Sequence, residues 1–182
     1  WSPGAAFLYP VSIKLYQGKN LLDEAQSYAA FRDIRMAKDV NGHQRMLLNG
    51  VEVFHYGPLD QGWWPDGLYT APTDEALLFD IQKTREMGFN MIRKHVKVEP
   101  ARWYYHADRL GMLVWQDMPS GDLGNRWEVR PGIIRKGVNR ERTAASEKIF
   151  TTEWTEIIKE FKFFPSIVVW VPFNEAWGQF KT

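Results

Sequence analysis

The chain contains no cysteine, which excludes disulfides, thiolate metal sites and a cysteine nucleophile. A cysteine-free chain suits either redox environment, so periplasmic, secreted and cytoplasmic locations all stay open. Charge of one sign is also missing. Lys plus Arg number 23 against 22 Asp plus Glu, for a formal net charge of +1, and the charges are scattered. Nucleic acid and membrane surfaces call for clustered positive charge, so neither is an expected partner. Apolar runs are short: none reaches the roughly 18 residues needed to span a bilayer. Histidine is sparse, with 4 in all and none after His106.

Aromatic residues, by contrast, make up 15% of the chain and include 9 Trp. Such a share recurs where rings stack on sugar faces, and also in ordinary large cores. At 182 residues the chain suits one domain or one and a half, and a compact fold of that size buries roughly 70% of its unfolded surface. It starts at Trp1 without a Met and stops at Thr182, and so reads as a piece of something longer.

Two unequal parts are expected. In "FLYPVSIKLYQGKNLLDEAQSYAAFRDIRM" apolar and polar positions alternate (Val11, Ile13, Leu15) around a turn at Gln17 to Asn20, the pattern of two or three antiparallel strands. Next, "RMLLNGVEVFHYG" places Asn49 and Gly50 between apolar runs, a strong hairpin signal because both residues accept the positive φ of a type I′ turn. The second strand of that hairpin is expected to end at His55 and Tyr56 and to open the next part of the fold.

From there helix and strand alternate. Thr73, Asp74 and Glu75 form a helix start, Leu77, Leu78 and Ile81 continue it, and Gly88 can stop it. "FNMIRKHV" follows as a buried strand. The grammar repeats: Pro100 can open a helix through "ARWYYHADRL", Gly111 can end it, and "MLVWQDM" is the next strand. A Gly- and Arg-rich loop is expected over residues 120–139, with disorder there. A third helix, "ASEKIFTTEWTEIIKEFKFF", is stopped by Pro165, and "SIVVWVPF" is a fourth strand.

Continuously apolar strands separated by helices indicate a parallel sheet covered on its faces, either doubly wound or in a (β/α) barrel. Each strand is expected to end in polar groups: His55, then Arg93 and His95, then Gln116 and Asp117, then Asn174 and Glu175. In a barrel these converge on one rim, where that fold carries its active sites. No phosphate-cradling glycine motif follows the first strand, which weighs against nucleotide binding. Taken alone, Asn174 and Glu175 after a strand would read as a helix cap.

"FRDIRM", "LLNGVEVFHYG", "MGFNMIRKH", "DRLGMLVWQD" and "FPSIVVWVPFNEAW", in that order, resemble the junction and first half of the barrel of glycoside hydrolase family 2, which holds β-galactosidases, β-glucuronidases and β-mannosidases. The resemblance implies a partial (β/α)8 TIM barrel, its first four βα units over residues 37–182, preceded over residues 1–36 by antiparallel strands of an immunoglobulin-like β-sandwich. It implies hydrolysis of β-glycosidic bonds with retention. Retaining glycosidases use two carboxyl groups about 5 to 5.5 Å apart, one as acid/base and one as nucleophile. Glu175 matches the acid/base, a role that burial beside Trp170, Phe173 and Trp177 would favour. Asn174 would donate to the sugar 2-hydroxyl as charge develops.

Arg93 is expected to line the site and orient Glu175 or another carboxylate, or else to form a structural ion pair. His55, His95 and Asp117 are expected sugar-hydroxyl partners. Trp63 and Trp64, in "LDQGWWPDG", are expected either as a stacking wall or as a cap on the rim. "HYGPLDQ" and "KHVKVEP" depart from the Arg-His-Glu and Ser-His-Tyr-Pro stretches of the galactosidase-like branch, and "LVWQDMP" is closer to the mannosidase-like style. No catalytic metal and no cofactor are expected. The family's nucleophilic Glu ends a seventh strand, so the chain by itself is expected to be inactive and to self-associate through open sheet edges. A non-catalytic carbohydrate-binding module is the other class in play.

Overall fold

Left-handed turns at Gly18, Asn49–Gly50, Gly88 and Gly111 divide the chain much as its apolar periodicity does. The structure is a computed structural model and describes residues 1–119, 139, 142–176 and 178–182. The expected loop over residues 120–139 therefore lies, except for Asn139, outside the described residues, as does Trp177.

Strands β1 (Tyr9–Gln17) and β2 (Asn20–Ala29) pair antiparallel, from Tyr9↔Ala29 to Gln17↔Asn20, with a bulge between Leu15 and Tyr16. Apolar side chains on this ribbon, among them Ile13, Leu15 and Leu22, stay exposed. An isolated two-stranded ribbon is marginal in water. Here its base is anchored, because Tyr28 packs on the main core and its hydroxyl donates to Asp108 Oδ2 at 2.6 Å.

A second antiparallel sheet contains β3 (Ile34–Lys38), β4 (Gln44–Leu48) and β5 (Val51–Glu52). Asn49 (φ 53°) and Gly50 (φ 80°) both take the positive φ that a type I′ turn demands. The position between residues 36 and 37, expected as a domain boundary, falls inside β3, where Met36 pairs with Met46. Residues 30–33, between the ribbon and this sheet, belong to no strand.

The remaining elements alternate: β6 (Leu59–Asp60), α1 (Asp74–Glu86), β7 (Met91–Lys94), α2 (Ala101–Leu110), β8 (Leu113–Asp117), α3 (Ala144–Phe161) and β9 (Ile167–Val171). Local chemistry sets the helix ends. Thr73 Oγ1 accepts from the Ala76 amide at 3.1 Å and Thr143 Oγ1 from the Ser146 amide at 3.1 Å, while Gly111 stops α2 with φ 70°. The four strands form one parallel sheet in the order β6-β7-β8-β9. Among the described strands the order never reverses, so the switch point of a doubly wound sheet is absent.

One expectation needs correction. The run ending at His55 is not the first parallel strand. The Asn49–Gly50 turn folds Val51 back onto Leu48, which commits that run to the antiparallel sheet. Parallel pairing starts only afterwards, where the Asn90 amide donates to Tyr56 O, the Arg93 amide to Pro58 O and the His95 amide to Asp60 O. Asp60 and Gln61, not His55, thus end the first parallel strand.

Strand alternation assigns the two faces of this sheet. Ile92, Val114 and Ile167 join Ile81, Trp103 and Tyr104 in the main core against the helices. Fully burying one such aliphatic side chain contributes about 1.5–3 kcal/mol. On the opposite face Met91 and Leu113, at the strand starts, pack with Leu48, Val53 and Trp1. The antiparallel sheet therefore closes the N-terminal end of the parallel one, and polar side chains gather at the other end.

Candidate functional site

Arg93 and Asp117 stand on that opposite face near the ends of β7 and β8. The Arg93 guanidinium donates to both Asp117 oxygens, Nε to Oδ1 at 3.0 Å and Nη2 to Oδ2 at 2.8 Å, and Nη2 also donates to Asn174 Oδ1 at 2.9 Å. One cation thus joins the ends of three strands, two of them neighbours in the sheet and the third next in line. Because guanidinium carries only donors, the Asn174 oxygen must face it. That leaves the Asn174 amide N–H groups to donate elsewhere, and no described residue accepts from them.

Asp117, expected as a sugar-hydroxyl partner, holds Arg93. Its side chain is wholly buried, and Oδ2 receives a further contact from the Val96 amide at 3.3 Å. It supports Arg93 from beneath and presents no lone pair at the surface. Val96 adopts φ 47°, a left-handed conformation that is costly for a β-branched residue, and in it the amide points at the carboxylate. Asn174 is likewise buried, at 2% exposure.

Glu175 follows in a short turn (Asn174–Ala176) with φ 50° and ψ 30°, a second strained non-glycine residue beside the same cluster. The burial expected for it is not found: Glu175 is exposed. The rings meant to wall it in are engaged elsewhere. Trp170 meets Trp154 of α3 edge to face at 5.6 Å, and Phe173 stacks on Phe150 at 5.2 Å. Trp177 lies outside the described residues.

His95 sits one alternation beyond Arg93, and its Nδ1 lies 3.1 Å from Gln61 Nε2. A glutamine amide nitrogen only donates, so this His95 nitrogen accepts. His55 belongs to no strand and meets Trp115, the residue that pairs with Arg93 across β7 and β8. Its Nδ1 accepts from the Trp115 indole at 2.8 Å, and burial holds its pKa below the ordinary histidine value. Trp63 is exposed, meets Tyr69 edge to face at 4.3 Å, and lines a cleft between β6 and α1 with Asp80, Thr84 and Met87. Trp64 is half-buried and its backbone bridges to Leu68. Neither tryptophan touches the Arg93 cluster in any recorded contact.

Sequence reading passed over a second cluster, on the helix-covered side of the same strand ends. Lys94, Lys97 and Glu99 are almost fully buried and paired with one another and with Asp60. A lysine closing an otherwise apolar strand was the available signal. Among the described residues no group of three or more His, Asp or Glu side chains has the arrangement of a metal site. No helix among them is long and apolar enough to cross a membrane.

A parallel sheet with strands in sequential order, helices on one face and a polar cluster at the strand ends is an architecture that glycoside hydrolases use. Comparison with known proteins places the chain beside that class: along almost its whole length it is similar to β-glucuronidases, an exo-β-D-glucosaminidase and β-mannosidases. It is 25% identical over 180 residues to a putative β-glucuronidase of Formosa agariphila, covering 97% of this chain and 16% of that protein. It is 26% identical over 188 residues to β-mannosidase B of Neosartorya fischeri, covering 96% of this chain and 20% of that one. Among solved structures, a β-glucuronidase of Bacteroides uniformis superposes with a TM-score of 0.72 at 26% identity, over 93% of this chain and 18% of that one. The chain spans less than a third of the length of any of these. No family model matches it.

Proposed function

We propose that the chain is part of a retaining β-glycosidase, comprising the end of an immunoglobulin-like domain and the first four strands of an eight-stranded barrel. Glu175 is the acid/base, Asn174 the donor to the sugar 2-hydroxyl, and Arg93 the group that orients Asn174. The single observation that carries this reading is the hydrogen-bonded set Arg93–Asp117–Asn174, which fixes the Asn174 oxygen inward and leaves its N–H groups free next to Glu175. Hydrogen bonds at the sugar 2-hydroxyl strengthen in an oxocarbenium-like transition state, and a group held in place beforehand makes one without reorganising. In the proposed barrel the remaining four strands cover Glu175 and bring the nucleophilic carboxylate across from it. The substrate is a β-linked glycoside, and no cofactor takes part.

The test uses the parent protein. With p-nitrophenyl β-glycosides as substrates, its first-formed sugar has the β configuration, and Glu175→Gln lowers kcat by roughly 10²- to 10⁴-fold, the range of a general acid. The 182-residue chain alone gives no turnover. Unchanged turnover in the Glu175→Gln parent, or a parent that binds saccharides and never cleaves them, overturns the reading in favour of a carbohydrate-binding module.

A further inference from the structure

The loop that follows β6 rests on buried charge. Lys94, at 1% exposure, places its ammonium 2.6 Å from Asp60 Oδ2 and 2.9 Å from Glu99 Oε1, and 4.5 Å from the centre of the Trp103 ring. Lys97, at 3% exposure, lies 3.0 Å from the same Glu99 oxygen and donates to Gly62 O at 2.5 Å. Asp60 Oδ1 accepts from the Gly62 amide at 2.8 Å. Both backbone polar groups of Gly62 are therefore held by members of one charge network. Gly62 also takes φ +63°, and a Cβ there would lie 2.2 Å from Glu99 Oε1, so the loop backbone sits directly on the cluster. A side chain there would be strained and would have to push the Glu99 and Lys97 head groups aside.

What the clamp presents is the residue just before it. Gln61 is exposed and its Nε2 donates to His95 Nδ1, which leaves the second amide hydrogen and the carbonyl oxygen without a described partner. His95 follows Arg93 by two residues on the same face, and its amide still pairs with Asp60 O. Roughly 7 Å separates residues two apart on a strand, which is about the reach of one sugar ring from the Arg93–Asn174 cluster. A primary amide with one free donor and one free acceptor matches a pair of neighbouring hydroxyls.

We infer that Lys94, Lys97, Glu99 and Asp60 form a positioning device for this loop, and that Gln61, braced on His95, is the sugar-hydroxyl contact it delivers. The identity of the ligand rests on the proposed glycosidase reading, whereas the clamp stands on its own geometry. Lys97 is a positioning residue and touches no substrate. Removing its ammonium frees Gly62 O and leaves Glu99 short of one counter-charge in a buried setting.

Two measurements on the parent protein test this. In Lys97→Met, hydrogen exchange at the 61–64 amides speeds up at least about tenfold while β8 amides keep their protection, the loss of one charge-assisted hydrogen bond being of that order. Lys97→Arg, which keeps a cation, restores most of the protection. With p-nitrophenyl β-glycosides, Lys97→Met and Gln61→Ala each raise KM about tenfold and change kcat less than about twofold. Unchanged exchange at 61–64 in Lys97→Met overturns the clamp. An unchanged KM in Gln61→Ala, whose exposed side chain is dispensable for folding, overturns the contact. Absence of all hydrolysis by the unmodified parent defeats the glycosidase reading and the assigned contact, and the exchange measurement still decides the clamp.

Discussion

Arg93 and Asp117 form a two-pronged ion pair, with hydrogen bonds of 3.0 and 2.8 Å, in which the carboxylate is wholly buried and the guanidinium about a quarter exposed. The pair joins β7 to β8 and, through the third bond to Asn174, reaches the turn after β9. Cutting it removes more than a contact, since it leaves a wholly buried carboxyl with, among the described residues, the Val96 amide as its remaining partner. Arg93→Met should therefore destabilise the chain by about 3–5 kcal/mol, the range for orphaning one partner of a buried pair. Urea unfolding checks this; a loss below about 1 kcal/mol would mean that water reaches Asp117.

The Trp115 indole reads out the state of His55. Indole nitrogen only donates, so His55 Nδ1 must accept, which is a bond to the neutral ring, and burial already depresses this pKa. Trp115→Phe removes that bond and admits solvent. The His55 pKa should rise toward the ordinary value of about 6.5, visible as a shifted midpoint for its ring protons by NMR. An unmoved midpoint would leave burial by other groups as the whole cause.

Asp108 links the ribbon to the rest of the fold and makes stability depend on pH. Burial raises its pKa to about 6 even though the Ser166 amide at 2.8 Å and the Tyr28 hydroxyl at 2.6 Å favour the charged form. A carboxyl whose folded pKa exceeds its unfolded value binds its proton more tightly when folded. Its contribution is fully present below about pH 4 and is lost as pH rises toward 6. Relative to Asp108→Asn, the unmodified chain should lose on the order of 2 kcal/mol between those limits. Paired urea melts across that window give the difference, and parallel curves would show that the group titrates normally.

The parallel sheet exposes two edges. Among the described residues β6 and β9 are each hydrogen-bonded on one side only. Strand β9, Ile167–Val171, is uniformly apolar, and an unpaired strand of that kind is a template for another copy. The isolated chain should sediment as dimers or larger species at micromolar concentration. Val169→Lys, which puts charge on that edge, should shift it toward monomer, whereas a monomeric unmodified chain would show that the edges are protected.

Much of this protein was legible before any coordinates. Thr73, Gly88 and Gly111 specify helix ends through their own hydrogen bonds and φ angles, and Asn49–Gly50 dictates its hairpin, because these interactions span only a few residues. The apolar runs near residues 91, 113 and 167 could be recognised as strands of a covered parallel sheet for the same local reason. Strand order, sidedness and burial depend on residues far apart in the chain, and there only the tertiary structure decided. It shifted the first parallel strand from His55 to Asp60, because the turn at Gly50 had already committed Val51 to Leu48. It buried the Asp117 side chain against Arg93, and it left Glu175 exposed, with Trp170 and Phe173 packed against α3. The clamp on Gly62 was the least visible of all, since it forms only when Asp60, Lys97 and Glu99, up to 39 residues apart in sequence, come together at the N–H and C=O of one residue.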